Sequence, residues 1–111
     1  MGRSGHVELS TKARRDLCRL ARGPDRKPIL DALTVSLVAI PPPDNLDVKP
    51  LEGHAPWLRL RVGTYRILYR PLTTDELAAV SQQRGHRIDA GYLVARIIHR
   101  RDLDRAVASL D

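Results

Sequence analysis

The stretch WLRLRVGTYRILYR (residues 57–70) alternates apolar and basic residues on both sides of a Gly-Thr pair. Alternation with a period of two marks strands whose two faces meet different surroundings. Gly63-Thr64 supplies a two-residue turn, and such a turn fixes register. Val62 is then predicted to face Tyr65, Arg61 to face Arg66, Leu60 to face Ile67, and Arg59 to face Leu68. One side of the hairpin carries Leu58, Leu60, Val62, Tyr65, Ile67 and Tyr69, which reads as core. The other carries Trp57, Arg59, Arg61, Arg66, Leu68 and Arg70, which reads as a basic plate. Like charges directly across two strands destabilise the pair, so this plate implies an anion. Arginine suits phosphate because its planar fork donates two parallel hydrogen bonds. The competing explanation is a solvated sheet face whose arginines meet some of the 13 acidic residues elsewhere in the chain.

Upstream, His6–Leu9 alternates like a short first strand. Ser10 or Thr11 caps a predicted helix whose apolar positions Ala13, Leu17, Leu20 and Ala21 share one face. Arg14, Arg15, Arg19 and Arg22 make its other face basic. Gly23-Pro24-Asp25 separates it from a second helix, predicted from Asp25 or Pro28 to Ala39, with Ile29, Leu30, Leu33, Leu37 and Ile40 as its stripe. Pro41–Pro43 stops that helix. Asp47–Gly53 reads as a short edge strand interrupted by Pro50. Downstream, residues 73–91 are polar and read as a loop with one helical turn near Asp75–Val80. Tyr92–Arg100 is the predicted last strand, and a short helix ends the chain. The order predicts one α+β domain over residues 1–111. Two N-terminal helices should pack on a mostly antiparallel twisted sheet of four to five strands.

The 111 residues bound the chain to one modest core, built mostly from Leu, Ile, Val and Ala, since there is no Phe and only one Trp. With three Lys, sixteen of the 19 basic residues are Arg, and the formal net charge is +6. That balance favours polyanionic partners, nucleic acid or an acidic protein. The single Cys18 excludes an intramolecular disulfide. The N-terminal residues lack the apolar run of a signal peptide, and no window reads as a membrane span. A cytoplasmic location without membrane partners is expected. His6, His54, His86 and His99 show no metal-ligand spacing, and no phosphate-binding glycine loop or nucleophile elbow is present. No metal or other cofactor is therefore expected.

Four segments in order, LSTKARRDL, DVKPLEG, WLRLRVGTYRILYR and ARIIHRRD, resemble the RelE/ParE superfamily of toxins from bacterial type II toxin–antitoxin systems. The resemblance covers most of the chain. It implies either an endoribonuclease that cuts mRNA, usually in the ribosomal A site of the 70S ribosome, or a ParE-like inhibitor of DNA gyrase. A non-enzymatic nucleic-acid-binding module is the further alternative. It also implies a cognate antitoxin, with which the toxin forms a hetero-oligomer on operator DNA. Carried over residue by residue, Arg59 matches a basic phosphate-binding position. Arg66 in the G-x-Y-R segment matches the arginine that stabilises the transition state, and Arg101 matches a functional arginine after the last strand. Lys49, Arg61, Arg70 and Arg100 are expected to help bind RNA phosphate. RelE-type toxins often carry a tyrosine beyond the last arginines, and HRRDLDRAVASLD has none. His99 and Asp102 are the nearby proton-transfer candidates, histidine having the better intrinsic pKa for neutral pH.

Overall fold

The computed structural model describes residues 5–20, 23–39 and 43–110. A short strand β1 (His6–Leu9) leads into helix α1 (Thr11–Arg19) and then α2 (Arg26–Asp31), which continues as a wider π-type turn over Ala32–Ser36. Strands β2 (Val48–Pro50), β3 (Leu58–Val62) and β4 (Tyr65–Pro71) follow, then helix α3 (Thr74–Arg84), strand β5 (Gly91–His99), a tight turn at Arg100–Asp102 and helix α4 (Leu103–Ala108). The five strands form one sheet in the order β1-β5-β4-β3-β2. Only the β1–β5 pair is parallel. The α+β expectation is met in strand number, in the two leading helices and in the short final helix.

Local chemistry explains the boundaries. Ser10 caps α1 by accepting the Ala13 N–H, while its own hydroxyl donates to the Ala95 carbonyl at 2.7 Å. The exposed face of α1 is basic, as its sequence implied, with Arg14, Arg15 and Arg19 in solvent. In the second helix Ile29, Leu33 and Leu37 are all buried at four-residue spacing. That spacing exceeds the 3.6 residues of an α-turn, and the π-type widening keeps Leu37 on the core face. Ala21, Arg22, Ile40, Pro41 and Pro42 lie outside the described residues, so the expected proline stop does too.

The hairpin has the register that its turn dictates, with Val62 opposite Tyr65, Arg61 opposite Arg66 and Leu60 opposite Ile67. Gly63 takes a positive φ of 60° there, which a side chain would resist. The main core joins Leu60, Ile67, Tyr69, Val94 and Ile97 of the sheet to Ala13, Ile29, Leu33 and Leu37 of the helices. Gly91 admits the close approach of β1, since an added Cβ would sit 2.4 Å from the His6 carbonyl oxygen.

Two expectations need correction. Residues 73–91 are not mainly loop: α3 runs three turns from Thr74 to Arg84. Its start is a capping box, Thr73 bonding the Glu76 N–H and Glu76 the Thr73 N–H, and Gly85 closes it in the left-handed conformation. Only Val80 is buried along it, which is why no apolar stripe announced it. The last strand also ends one residue early, so Arg100 opens the turn rather than closing β5.

Where β1 ends, α1 takes over the edge of β5. Asp16, 6% exposed, accepts the Ile97 N–H at 2.9 Å and pairs with both ends of the Arg96 guanidinium at 2.8 and 3.2 Å. Removing a partner from a buried pair leaves an uncompensated charge and an orphaned donor. Asp16→Ala should therefore lose about 3 kcal/mol in urea unfolding, and Asp16→Asn, which can still accept from Ile97, clearly less.

Candidate functional site

The face of the sheet opposite the main core is not one basic plate. Its middle is a second apolar cluster, in which Leu68, Ile98 and Ala106 are buried with Leu51, Leu103, Val107 and Leu110 around them. Helix α4 lies on Leu68, which interrupts the arginines of that face. The free arginines are thereby confined to the turn end of the hairpin and to the edge at β2.

Cross-strand pairing sets their positions. Lys49 of β2 lies beside Arg59 of β3, and Arg61 lies beside Arg66 of β4. Arg100 joins them because its backbone N–H donates to the Thr64 carbonyl at 2.8 Å, docking the turn after β5 against the hairpin turn. The Arg66 guanidinium donates to the carbonyls of Gly63 at 3.2 Å and Tyr65 at 2.9 Å, which fixes its head at the hairpin tip. Burial and then the fields of Arg59, Arg61 and Arg100 lower the pKa of Arg66, against a small opposing effect of Asp47. Asp47 is a loose neighbour, 3.8 Å from Arg61 with both side chains about half exposed. Four cations thus converge on one spot with little internal neutralisation.

The other proposed site residues lie elsewhere. Arg70 sits at the open end of the hairpin, its guanidinium bonded in parallel to both Glu76 oxygens at 2.7 and 3.0 Å and 5.6 Å from the centre of the Trp57 ring. Its charge is already matched. His99, Arg101 and Asp102 face a neighbouring cleft of about 370 Å³ between α1, the bare edge of β5 and α4. His99 Nδ1 accepts the Arg101 N–H at 3.2 Å, and Asp102 accepts from Arg105 at 3.1 Å. With Nδ1 used as an acceptor, the neutral imidazole carries its proton on Nε2. The sequence reading assigned Tyr65 wholly to the core, yet it also lines this cleft, its ring edge-on to His99 with centroids 5.6 Å apart. Period-two alternation correctly gave its face but could not show that the face runs out of cover at the hairpin tip. Tyr69 offers no substitute for the missing tyrosine, because burial, with Tyr92 beside it, pushes it up to about 12.

Solved structures share this architecture, two of them being toxin–antitoxin complexes. One is the RelB–RelE antitoxin–toxin complex from Methanococcus jannaschii, with 20% identity, 89% of this chain and 96% of that chain covered, and a TM-score of 0.53. The other is the toxin–antitoxin complex RelBE2 from Mycobacterium tuberculosis, with 27% identity, 88% and 93% covered, and a TM-score of 0.58. No family model and no curated protein matches the chain. The fold is RelE-like, an open five-stranded sheet with one parallel pair, seen in chains of toxin–antitoxin complexes.

The Arg70–Glu76 pair gives a test of the electrostatics. The Arg70 side chain, followed by the Thr73 N–H, holds Glu76 down to about 2, from an ordinary value of 4.5. A carboxylate depressed in the folded state adds stability above its unfolded pKa and loses it as pH falls through the folded one. Glu76→Gln keeps an oxygen for Thr73 but removes the charge. It should cost about 1 kcal/mol at neutral pH and flatten the loss of stability between about pH 4.5 and 2, measured by urea unfolding across that range.

Proposed function

We propose that this protein is the toxin of a type II toxin–antitoxin pair and an endoribonuclease that cleaves mRNA on the ribosome. The observation that carries the reading is the convergence of Arg59, Arg61 and Arg100 on a partly buried Arg66, a site whose repulsion a phosphate would relieve. The fold it shares with chains of two toxin–antitoxin complexes supports the same class.

In the proposed reaction a ribose 2′-oxygen attacks the adjacent phosphorus, the bond from phosphorus to the 5′-oxygen breaks, and a 2′,3′-cyclic phosphate and a 5′-hydroxyl result. The 2′-hydroxyl proton leaves to a base and the departing 5′-oxygen takes one up. Negative charge grows on the non-bridging oxygens, and guanidiniums held in place before the reaction stabilise it more than they stabilise the ground state. Arg66 is the central contact, Arg59 and Arg61 flank it on the sheet, and Arg100 closes the site from the turn. Lys49 extends it along the edge strand. Arginine is a poor base at neutral pH. His99, with Nδ1 engaged by the Arg101 N–H and no partner for Nε2 among the described residues, suits the donor to the leaving oxygen better than the acceptor from the 2′-hydroxyl. Arg101 and Asp102 frame that histidine from the same turn. The partner is a cognate antitoxin whose acidic side chains occupy the arginine site in place of phosphate.

Expression of the chain should arrest growth, with codon-position cuts visible by primer extension on translated mRNA. Arg66→Ala should lower cleavage about 10²–10³-fold and relieve arrest, while a neighbouring acidic gene product should restore growth with the unaltered chain. Arrest with intact mRNA and inhibited gyrase would instead identify a ParE-like inhibitor. Full toxicity of Arg66→Ala would remove the arginine site from the mechanism.

A further inference from the structure

The proposed cleavage needs a group that takes the 2′-hydroxyl proton, and the basic residues of the arginine site cannot supply it. Arginine and protonated lysine are donors with no acceptor to offer, and an ionised carboxylate is the reverse. One carboxylate stands on the same face. β2 and β3 pair Val48 with Leu60 and Lys49 with Arg59, so the next step of that register sets Asp47 opposite Arg61. The Arg61 N–H donates to the Asp47 carbonyl at 3.0 Å, which carries the pairing one step beyond the end of β2. Val48 packs on the main core, and alternation turns Asp47 and Lys49 to the arginine face. Since Arg61 in turn faces Arg66, a row of Asp47, Arg61 and Arg66 crosses the sheet on one face.

The plain role for this carboxylate is counter-ion to Arg61, and the contact is poor for it. The nearest approach is 3.8 Å, with the Arg61 and Asp47 side chains 56% and 46% exposed. At that distance the carboxylate accepts no hydrogen bond from the guanidinium, and so open a pair holds neither partner firmly. Other carboxylates are committed, Glu76 to Arg70, Asp16 to Arg96 and Ile97, and Asp102 to Arg105. Neighbouring strands lie about 4.8 Å apart, so Asp47 stands about 10 Å from Arg66 along the row. A phosphate bound between Arg61 and Arg66 brings its attacking 2′-oxygen, about 3 Å from phosphorus, within reach of a side chain on that flank. Attack and departure are collinear at phosphorus, so the proton acceptor and the proton donor belong on opposite sides. Strand order sets the two arginines between Asp47 on one side and the turn after β5 on the other.

Resting on the reading of the arginine site as the place where an RNA phosphodiester is cut, we infer that Asp47 is a catalytic residue, the general base of that reaction. Its carboxylate takes the proton of the ribose 2′-hydroxyl as the 2′-oxygen bonds to phosphorus. The bond from phosphorus to the 5′-oxygen breaks, and the departing oxygen takes a proton from His99 or water. The proton on Asp47 passes to solvent after the step. Arg61 holds the carboxylate at the flank of the site without capturing it.

A base and a counter-ion predict opposite signs when Asp47 is changed. Asp47→Asn keeps the backbone bond to Arg61 and removes one negative charge beside the phosphate. On ribosomes programmed with a cleavable message, single-turnover cutting by saturating Asp47→Asn should fall about 10²-fold. Its affinity for a message blocked by a 2′-O-methyl group at the cut position should stay equal or rise, and that binding also shows the variant to be folded. Asp47→Glu restores a carboxylate and should recover at least about a tenth of the unaltered rate. Cutting by Asp47→Asn at or above the unaltered rate would make Asp47 a counter-ion and overturn the inference. A loss of cutting matched by an equal loss of affinity would overturn it as well, because a base acts on the rate and not on binding. Undiminished cutting by Asp47→Asn beside an inactive Arg66→Ala would remove the base and leave the nuclease reading intact. Absence of cutting by the unaltered chain would sink that reading, and the role of Asp47 with it.

Discussion

A single buried carboxylate holds the working end of this molecule in place. β1 pairs with β5 only as far as Leu9 and Val94, and beyond that point the edge of β5 would be bare. Asp16 takes the place of the missing strand by accepting the Ile97 N–H, and it draws the Arg96 side chain to the same spot. A buried carboxylate without such partners would carry a heavy desolvation penalty, so pairing and burial depend on each other. Ser10 adds a second tie, its hydroxyl on the Ala95 carbonyl and its N–H on that of Val94. Helix α1 is thereby fixed against the half of β5 that leads into Arg100, Arg101 and Asp102. The position of every cation from that turn depends on this joint.

The arginine site itself works against folding. Placing Arg61 beside Arg66 and adding Arg59 and Arg100 nearby raises the electrostatic energy of the empty protein. The opposing face compensates through Leu60, Ile67 and Ile97, all nearly inaccessible in the main core. Arg66 is further tethered by two carbonyls of its own turn. The guanidinium is therefore held in one orientation by the backbone of its own turn, and the proposed role in charge stabilisation would need no reorganisation there. The stability of one sheet face is what lets the other remain repulsive.

Legibility in the sequence followed the strength of local rules. The hairpin was readable to the residue, because a two-residue turn and a period of two leave no freedom in register. The leading helices were readable from their apolar spacing, and Asp47–Gly53 from Pro50 as an edge. Helix α3 was not, because it is held at its ends: its capping box and the Arg70–Glu76 pair do the work that an apolar face does elsewhere. The Thr73-x-x-Glu76 spacing was the available signal. Arg70 illustrates the complementary limit. Alternation assigned it the same face as Arg59 and Arg66, but no sequence pattern showed that Glu76 and Trp57 would claim its charge.

The same limit applies to the cover of the arginine face. Leu68 looked like an interruption among arginines, yet it is the seat of α4, and with Ile98 and Ala106 it divides that face into separate territories. This division decides which arginines can act together. Arg61, Arg66 and Arg100 lie at or near the hairpin turn, Arg59 acts on Arg66 from farther down β3, Arg70 lies at the open end, and Arg101 lines the cleft with His99. The turn at Arg100–Asp102 sits at the boundary, its first residue directed to one territory and the next two to the other. Its geometry is set by the His99 cap on the Arg101 N–H and by the Arg100 bond to Thr64. Either bond, once lost, would displace both sets of side chains together, so the fold couples the arginine cluster to the cleft.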